Sequence, residues 1–366
     1  MTVLDATNQV SVDVRYACWD GVGLPFRLVE ASMPAEPGPG EVLVRVDMAT
    51  VCGSDVHTVL GHRTSPAPGV LGHEQVGRVV AVGPGAAPAR VDGAPVRVGD
   101  RVVWSVAASC GACRRCRSGI PQKCLELRKF GHERLDPQRP PTGGFATHCL
   151  LPAGTSVVRV PDEVPDVVAA PAGCATATVA AVLDAAGPVG EGTRVLVTGA
   201  GMLGVTAAAM AASRGAEVVV SDPDPARREL ALRFGAAAVT STPARAAHDV
   251  ALELSGAPAA VAACVDGLDV GGVAVLAGSV SPGPGLQIDP ERVVRGLLTV
   301  VGVHNYAPHH LRTAVEFLAA RHGGFPFHEL VDGAHPLDAM AEAFAAAGAR
   351  GAAPRQAVVP GAALRA

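Results

Sequence analysis

The sequence predicts an α/β protein in two parts: a mainly β part, then a doubly wound parallel sheet. Three observations carry this expectation. Residues up to about 165 hold many short runs of alternating apolar and polar residues, punctuated by Gly and Pro. From residue 193 onward, strand-like and helix-like segments take turns, as they do in a parallel sheet covered by helices. A G-x-G-x-x-G run lies between the first of those strands and the first of those helices.

Taken in order, EVLVRV (41–46) reads as a half-buried strand, with EPGPG before it and GSD soon after. GRVVAVG, DRVVWSV, FATHCLL and SVVRVP continue the β part. ATATVAAVLDAA opens the helical region. Then come the strand TRVLVTG, the helix MLGVTAAAMAASRG ending in Gly215, the strand EVVVSD and the helix PARRELALRFG ending in Gly235. HDVALELSG, GGVAVLAG and LLTVVGVHN read as further strands. HHLRTAVEFLAAR reads as a helix, and the mixed tail closes on the strand-like QAVVP.

With 366 residues, 49% hydrophobic and 17% charged, the chain is long and apolar enough for two domains with substantial cores. A net charge of −4 without a basic cluster argues against nucleic acid as a partner, and 3% aromatics leaves little surface on which bases could stack. No run approaches the roughly 18 apolar residues of a membrane span. The opening residues, MTVLDATNQV, lack both a basic start and an apolar block, so a cytoplasmic location is expected.

Nine cysteines, an odd number, make a disulfide framework a poor first reading. Cys110, Cys113, Cys116 and Cys124 follow C-x2-C-x2-C-x7-C. Tetrahedral zinc takes four soft ligands at about 2.3 Å, and closely spaced cysteines on a turning loop supply them. Gly111 and Ala112 let the backbone curl, and Gly119 and Pro121 bend its return. An iron–sulfur cluster is the rival, although a ferredoxin run would place its fourth cysteine three residues on and follow it with proline. Surface thiols without metal are the plainest alternative. A closed four-cysteine zinc site is structural and performs no chemistry.

Gly199, Gly201 and Gly204 form the glycine run, with Met202 and Leu203 between them. The glycines permit a tight turn, close approach of a pyrophosphate and close packing of helix on strand. The helix N-terminus then stabilises the phosphate charge. Asp222 ends the next strand, where an acid accepts ribose hydroxyls and repels a 2′-phosphate, which favours NAD over NADP. Arg227 and Arg228 are the reservation. Their expected place is the following helix, yet one of them could reach the cofactor.

Three further segments bear chemistry. VCGSDVH holds Cys52, Ser54, Asp55 and His57; GHE holds His73 and Glu74; PAGCATAT holds Cys174. Singly, each has a structural reading: a buried small cysteine, a satisfied core histidine, a turn-forming aspartate. Together with the cysteine loop and the glycine run, in this order, the chain resembles a zinc-dependent medium-chain alcohol dehydrogenase over nearly its whole length. The resemblance implies a GroES-like β domain over 1–170, completed by 306–366, and a Rossmann NAD-binding domain over 171–305. It implies two zinc ions per chain, one catalytic and one structural. Cys52, His73 and Cys174 would hold the catalytic ion, with Glu74 behind it as an alternative ligand. Asp55 would accept the second imidazole N–H of His73. Ser54 would pass the proton through the nicotinamide ribose to His57. Arg355 matches the position where a basic group meets the cofactor pyrophosphate. A homodimer or homotetramer, paired through the cofactor domains, is also implied.

The substrate is expected to be a small alcohol or aldehyde. His62, Arg63, Lys129 and His132, with HNYAPHH (304–310), are basic groups near the motifs. Arg63, Lys129 and His132 are the candidates to bind an anionic head; solvated surface charge is their structural reading. VWSVAASCGAC, PQKC, KFGHE and CATATVAA resemble a subgroup of the family proposed to act in phosphonate metabolism. A polyol or amino alcohol, as in the sorbitol and threonine branches, is the rival. A cofactor-binding relative without turnover is the non-enzymatic alternative. Cys18, Cys149 and Cys264 are expected to be buried structural thiols.

Overall fold

The computed structural model describes residues 11–84, 90–281 and 283–362; MTVLDATNQV lies outside them. The chain divides into two compact units. The first holds the residues up to Cys174, Ala307–Ala320 and those from Phe327 onward; the second holds Ala175–Tyr306 and Arg321–Pro326.

The first unit is built on an eight-stranded sheet. Its main path runs Val331–His335, Arg355–Val358, Val42–Val51, Gln75–Val82, Arg101–Ala108 and Arg128–Lys129. His148–Leu151 adds to Val42–Val51, and Thr155–Arg159 adds to Arg101–Ala108. Only the first pair is parallel; the rest are antiparallel. A three-stranded sheet of Arg27–Pro34, Ser11–Trp19 and Gly69–Val70 completes the unit. Val44, Val46, Trp104, Phe130, Phe145 and Leu151 belong to one buried cluster. Removing this apolar surface from water drives the sheets together.

The second unit is a six-stranded parallel sheet in the order Ala238–Thr240, Glu217–Ser221, Arg194–Thr198, His248–Glu253, Leu268–Leu276, Thr299–Gly302. Numbered along the chain, this is 3-2-1-4-5-6, the doubly wound order that binds dinucleotides at the carboxyl ends of its strands. Helices Ala175–Ala185, Met202–Ala212 and Pro225–Arg233 match the alanine-rich and arginine-bearing segments read from sequence. Helices Pro258–Gly267 and Pro290–Gly296 were not anticipated. Each begins with a proline at its first position, where the missing N–H has no intrahelical partner to lose.

Cys174 lies at the end of the first unit rather than inside the nucleotide-binding part. A Cβ on Gly173 would stand 2.6 Å from the Trp104 carbonyl oxygen, so this turn presses directly on the β sheet. Arg321–Pro326 joins the second unit, where Phe325 stacks on Phe234 with centroids 6.2 Å apart.

Candidate functional site

Cys52 follows the strand Val42–Val51 and caps the helix Gly53–Val59. His73 and Glu74 precede the strand Gln75–Val82. They enter after Gly72, whose φ is +94°; a Cβ there would press to 3.0 Å against Phe145. Cys174 ends the tight turn Ala170–Gly173. The ligand atoms of Cys52, His73, Glu74 and Cys174 all lie within 4.8 Å of one another. Two thiols, an imidazole and a carboxylate at this spacing fit zinc, which binds sulfur at about 2.3 Å and nitrogen at about 2.0 Å.

Neighbouring groups orient these side chains. Asp55 is fully buried, and its Oδ2 accepts from the Cys52 backbone N–H at 3.0 Å. Its Oδ1 lies 3.3 Å from His73 Nδ1. That contact is off hydrogen-bond alignment, leaving both atoms buried without a hydrogen-bond partner among the described residues. His73 Nε2, the other ring nitrogen, is 3.3 Å from Ser54 Oγ. Burial pushes the His73 pKa down, but the Asp55 carboxylate and the Cys52 sulfur outweigh it and hold it well above the ordinary value.

The two thiols share one proton unequally. Cys52 is held well below the ordinary thiol value by a hydrogen bond from Cys174, against burial and with help from Arg355. Cys174 is correspondingly raised by that hydrogen bond and by burial. The thiolate therefore sits on Cys52. Arg355 Nη2 donates to its sulfur at 3.4 Å.

Arg355 reaches the same group from the far end of the chain. Expected at the cofactor pyrophosphate, it is buried on the strand Arg355–Val358, which pairs with Val42–Val51. Its Nε donates to Glu74 Oε2 at 2.6 Å and its Nη2 to Glu74 Oε1 at 2.8 Å. Its Nη1 donates to the Pro354 carbonyl at 3.0 Å. All its nitrogens are thus engaged inside the first unit, where four of its five N–H groups are used. Burial raises the Glu74 pKa in spite of this cation. Thr50 Oγ1 donates to Glu74 Oε2 at 2.6 Å. Sequence reasoning missed Thr50, although its position two residues before Cys52 puts it on the same strand face.

Lys129 and His132 lie beside this group. Burial lowers the Lys129 pKa, Arg63 lowers it further, and Cys174 opposes the change. Burial, then the charges of His73, Arg63 and Lys129, push His132 down to about 2. The His132 and His73 rings are 5.5 Å apart. The three expected substrate groups therefore act electrically on one another or on the candidate ligands. His57 is exposed on its helix, and its Nδ1 faces His62 Nδ1 at 3.4 Å.

The four-cysteine loop is a second candidate metal site, again with ligand atoms within 4.8 Å of one another. Its sulfurs approach to 3.4 Å for Cys124–Cys110, 3.5 Å for Cys113–Cys116 and 3.9 Å for Cys113–Cys124. These distances exceed the ~2.05 Å of a disulfide and suit the edges of a sulfur tetrahedron. Backbone N–H groups of Cys110 and Glu126 donate to Cys124 Sγ, both at 3.3 Å. The backbone N–H groups of Leu125 and Cys116 lower the Cys113 thiol to about 6.

In the second unit, Gly199 takes a left-handed φ of +95°. A Cβ on Gly204 would sit 1.8 Å from the Gly199 carbonyl, whereas one on Gly201 would meet nothing within 4 Å. Gly204 therefore serves helix packing, and Gly201 leaves room for a ligand. Met202 is buried and Leu203 partly so at the start of the helix. Asp222 is buried; its Oδ2 accepts from the Ala200 N–H at 2.7 Å and its Oδ1 from the Asp224 N–H at 2.9 Å. It pins the glycine loop to the next strand. Arg227 is exposed on Pro225–Arg233, and Arg228 donates to the Asp222 carbonyl at 2.7 Å. Cys18, Cys149 and Cys264 are buried and outside any disulfide, and each thiol is hydrogen-bonded, to Asp20, the Thr142 carbonyl and Thr198 respectively.

Comparison with known proteins agrees with these features. Residues 38–162 match the alcohol dehydrogenase GroES-like domain family, and residues 203–320 match the zinc-binding dehydrogenase family. The L-threonine 3-dehydrogenase of Deinococcus deserti is 36% identical over 298 residues, which cover 76% of this chain and 80% of the relative. An alcohol dehydrogenase structure from Thermotoga maritima superposes with a TM-score of 0.87 at 26% identity, over 95% of this chain and 99% of that one. A Sinorhizobium meliloti protein described as a zinc-binding dehydrogenase, bound to NADP, gives 0.82 at 25% identity over 95% of this chain and 100% of that one.

Proposed function

Because the chain belongs to the zinc-dependent medium-chain alcohol dehydrogenase family, we propose that Cys52, His73 and Cys174 hold its catalytic zinc, with Glu74 behind them. The clustering of their ligand atoms within 4.8 Å carries this reading. Cys110, Cys113, Cys116 and Cys124 hold the structural ion. When bound, the catalytic zinc supplies Lewis acidity at the alcohol oxygen, and the nicotinamide accepts or returns hydride.

The protein's own groups do the rest. Asp55 holds the His73 ring in the tautomer that leaves Nε2 for the metal. Ser54 and His57 carry the alcohol proton outward. Glu74 and Arg355 neutralise each other beneath the ligands, and Arg355 stabilises the Cys52 thiolate. Gly199, Gly201, Met202, Leu203 and Gly204 receive the dinucleotide at the helix N-terminus. Asp222 sets that loop and faces the adenosine ribose, which favours NAD. Arg227 remains the basic side chain beside this position. The domain limits are those of the sequence reading, moved so that Cys174 stays with the β unit. A dimer forms through the edge strand Thr299–Gly302, where Val300 is exposed beside Leu297 and Val294; sedimentation of a Val300→Lys variant as a monomer would bear this out.

The substrate is a small alcohol or aldehyde with an anionic head, bound by Arg63, Lys129 and His132. A phosphonate-bearing aldehyde is the preferred form, supported by two basic groups, Arg63 and Lys129, with the neutral His132 as a hydrogen-bond donor beside them. L-Threonine is the second reading, favoured by the activity of the Deinococcus deserti relative. NADH oxidation with phosphonoacetaldehyde and a neutral aldehyde of similar size, beside NAD reduction with L-threonine, decides among them. A much higher kcat/KM for the phosphonate supports the first. Equal or reversed aldehyde preference discards it, and turnover of threonine alone establishes the second.

A further inference from the structure

We propose that His62 is the last protein group on the proton path, receiving the proton that His57 carries out of the active site. This rests on the reading of Ser54 and His57 as the relay. His57 lies in the last turn of the helix Gly53–Val59. The chain then turns back at Gly61, with φ +78°. Gly61 N–H donates to the Thr58 carbonyl at 3.1 Å, and the His62 and Arg63 N–H groups both donate to the His57 carbonyl, at 2.9 and 3.2 Å. These bonds fix the backbone of His62 over the very residue it serves. A Cβ on Gly61 would lie 3.2 Å from Val22, so the turn is also backed from outside.

The ring geometry completes the case. The two Nδ1 atoms are 3.4 Å apart and the ring centroids 5.6 Å apart. Two imidazole nitrogens facing each other at this distance hold one proton between them, because two N–H groups would repel and two lone pairs would make no bond. Both rings are exposed, so His62 Nε2 can exchange with water.

The step balances without any redox change. His57 gains a proton at Nε2 and gives its Nδ1–H to His62 Nδ1; His62 then releases its Nε2–H to water. Water-assisted exchange restores both tautomers. This assignment separates His62 from the anion-binding group of Arg63, Lys129 and His132.

Single-turnover alcohol oxidation by the zinc-loaded holoenzyme tests the idea, with NADH absorbance and a pH indicator followed together in dilute buffer. His62→Ala is expected to slow proton release roughly tenfold, less than the about 10²–10⁴ typical of buried acid–base groups because water reaches the site. Added imidazole should restore the rate, and KM for NAD should not change. His62→Gln should behave like His62→Ala, since its amide cannot take up the proton. Unchanged proton release in both variants, with His57→Ala slowed and rescued by imidazole, would end the relay at His57 and overturn the proposal. A normal His57→Ala would instead remove the relay itself. A rise in substrate KM alone for the His62 variants would assign His62 to substrate binding, which also overturns it.

Discussion

Cys110, Cys113, Cys116 and Cys124 come from fifteen consecutive residues and include an exposed thiol. Cys52, His73, Glu74 and Cys174 come from three separate segments and are mostly buried. Backbone N–H groups of the loop's own turns lower the Cys113 and Cys124 thiols, whereas burial and the neighbouring sulfurs raise Cys116. The buried group depends on side chains from elsewhere: Asp55, Thr50 and, from the far end of the chain, Arg355. The first arrangement closes four sulfurs on themselves, as a structural ion needs. The second mixes charge types and adds a serine 3.3 Å from the imidazole, as chemistry needs.

The largest test of this contrast removes a sulfur from the buried group. Cys52→Ser should lower zinc content from two ions to one and reduce kcat/KM on the order of a thousandfold, equivalent to losing about 4 kcal/mol of charge stabilisation. Metal analysis and steady-state kinetics read both effects. Full activity with one ion lost would assign the chemistry elsewhere.

A smaller effect, on stability, distinguishes the buried group by its counter-charge. Arg355→Met leaves Glu74 buried without its cation, either charged or forced to take up a proton, which should cost about 3–5 kcal/mol in urea unfolding. Adding Glu74→Gln should recover part of that loss, because a neutral amide needs no counter-ion. No recovery in the double variant would mean that Arg355 acts by packing.

Removing a sulfur from the loop should do the converse. Cys113→Ser is expected to release one zinc and lower the Tm by about 5–10 °C, with hydride transfer retained in molecules that stay folded. Calorimetry with parallel zinc assays measures this. Complete inactivation of a folded variant would break the separation between the two sites.

The mildest effect concerns pH. His132 is held at about 2, below its ordinary 6.5, chiefly by burial and then by the charges of His73, Arg63 and Lys129. Below pH 6.5 the unfolded chain binds a proton there that the folded chain refuses. Its contribution is therefore full above pH 6.5 and is lost progressively as pH falls toward about 2. His132→Gln should flatten the fall in unfolding free energy between neutral pH and pH 4. An unchanged slope would show that His132 gains its proton without opposition.

The two sites also differ in how far they could be read from sequence. C-x2-C-x2-C-x7-C is local, so its spacing already confines the sulfurs, and the same holds for Gly199-x-Gly201-x-x-Gly204 between strand and helix. Cys52, His73 and Cys174 could be grouped only by resemblance, since nothing in their spacing brings them together. The pairing of Arg355 with Glu74 went unread because a lone arginine near the carboxyl end carries no local signal of its partner. Helix Pro258–Gly267 went unread because its alanines show no clear polar face, whereas Met202–Ala212 was recognised from the glycine run before it.

By itself, the amino-acid order determined the strand–helix alternation of the second unit, the cysteine loop and the glycine turn. Each depends on residues within a few turns of one another, where φ limits, capping and ligand spacing act directly. Only the tertiary structure decided that Arg355 neutralises Glu74, that Cys174 stays with the β unit, that Asp222 pins the loop before it, and that His62 faces His57. The first three are set by sheet pairing and close packing, and the last by a side-chain meeting across a glycine turn. Burial then makes the Arg355–Glu74 pairing obligatory, because an ionised group withdrawn from water must find its partner within the fold.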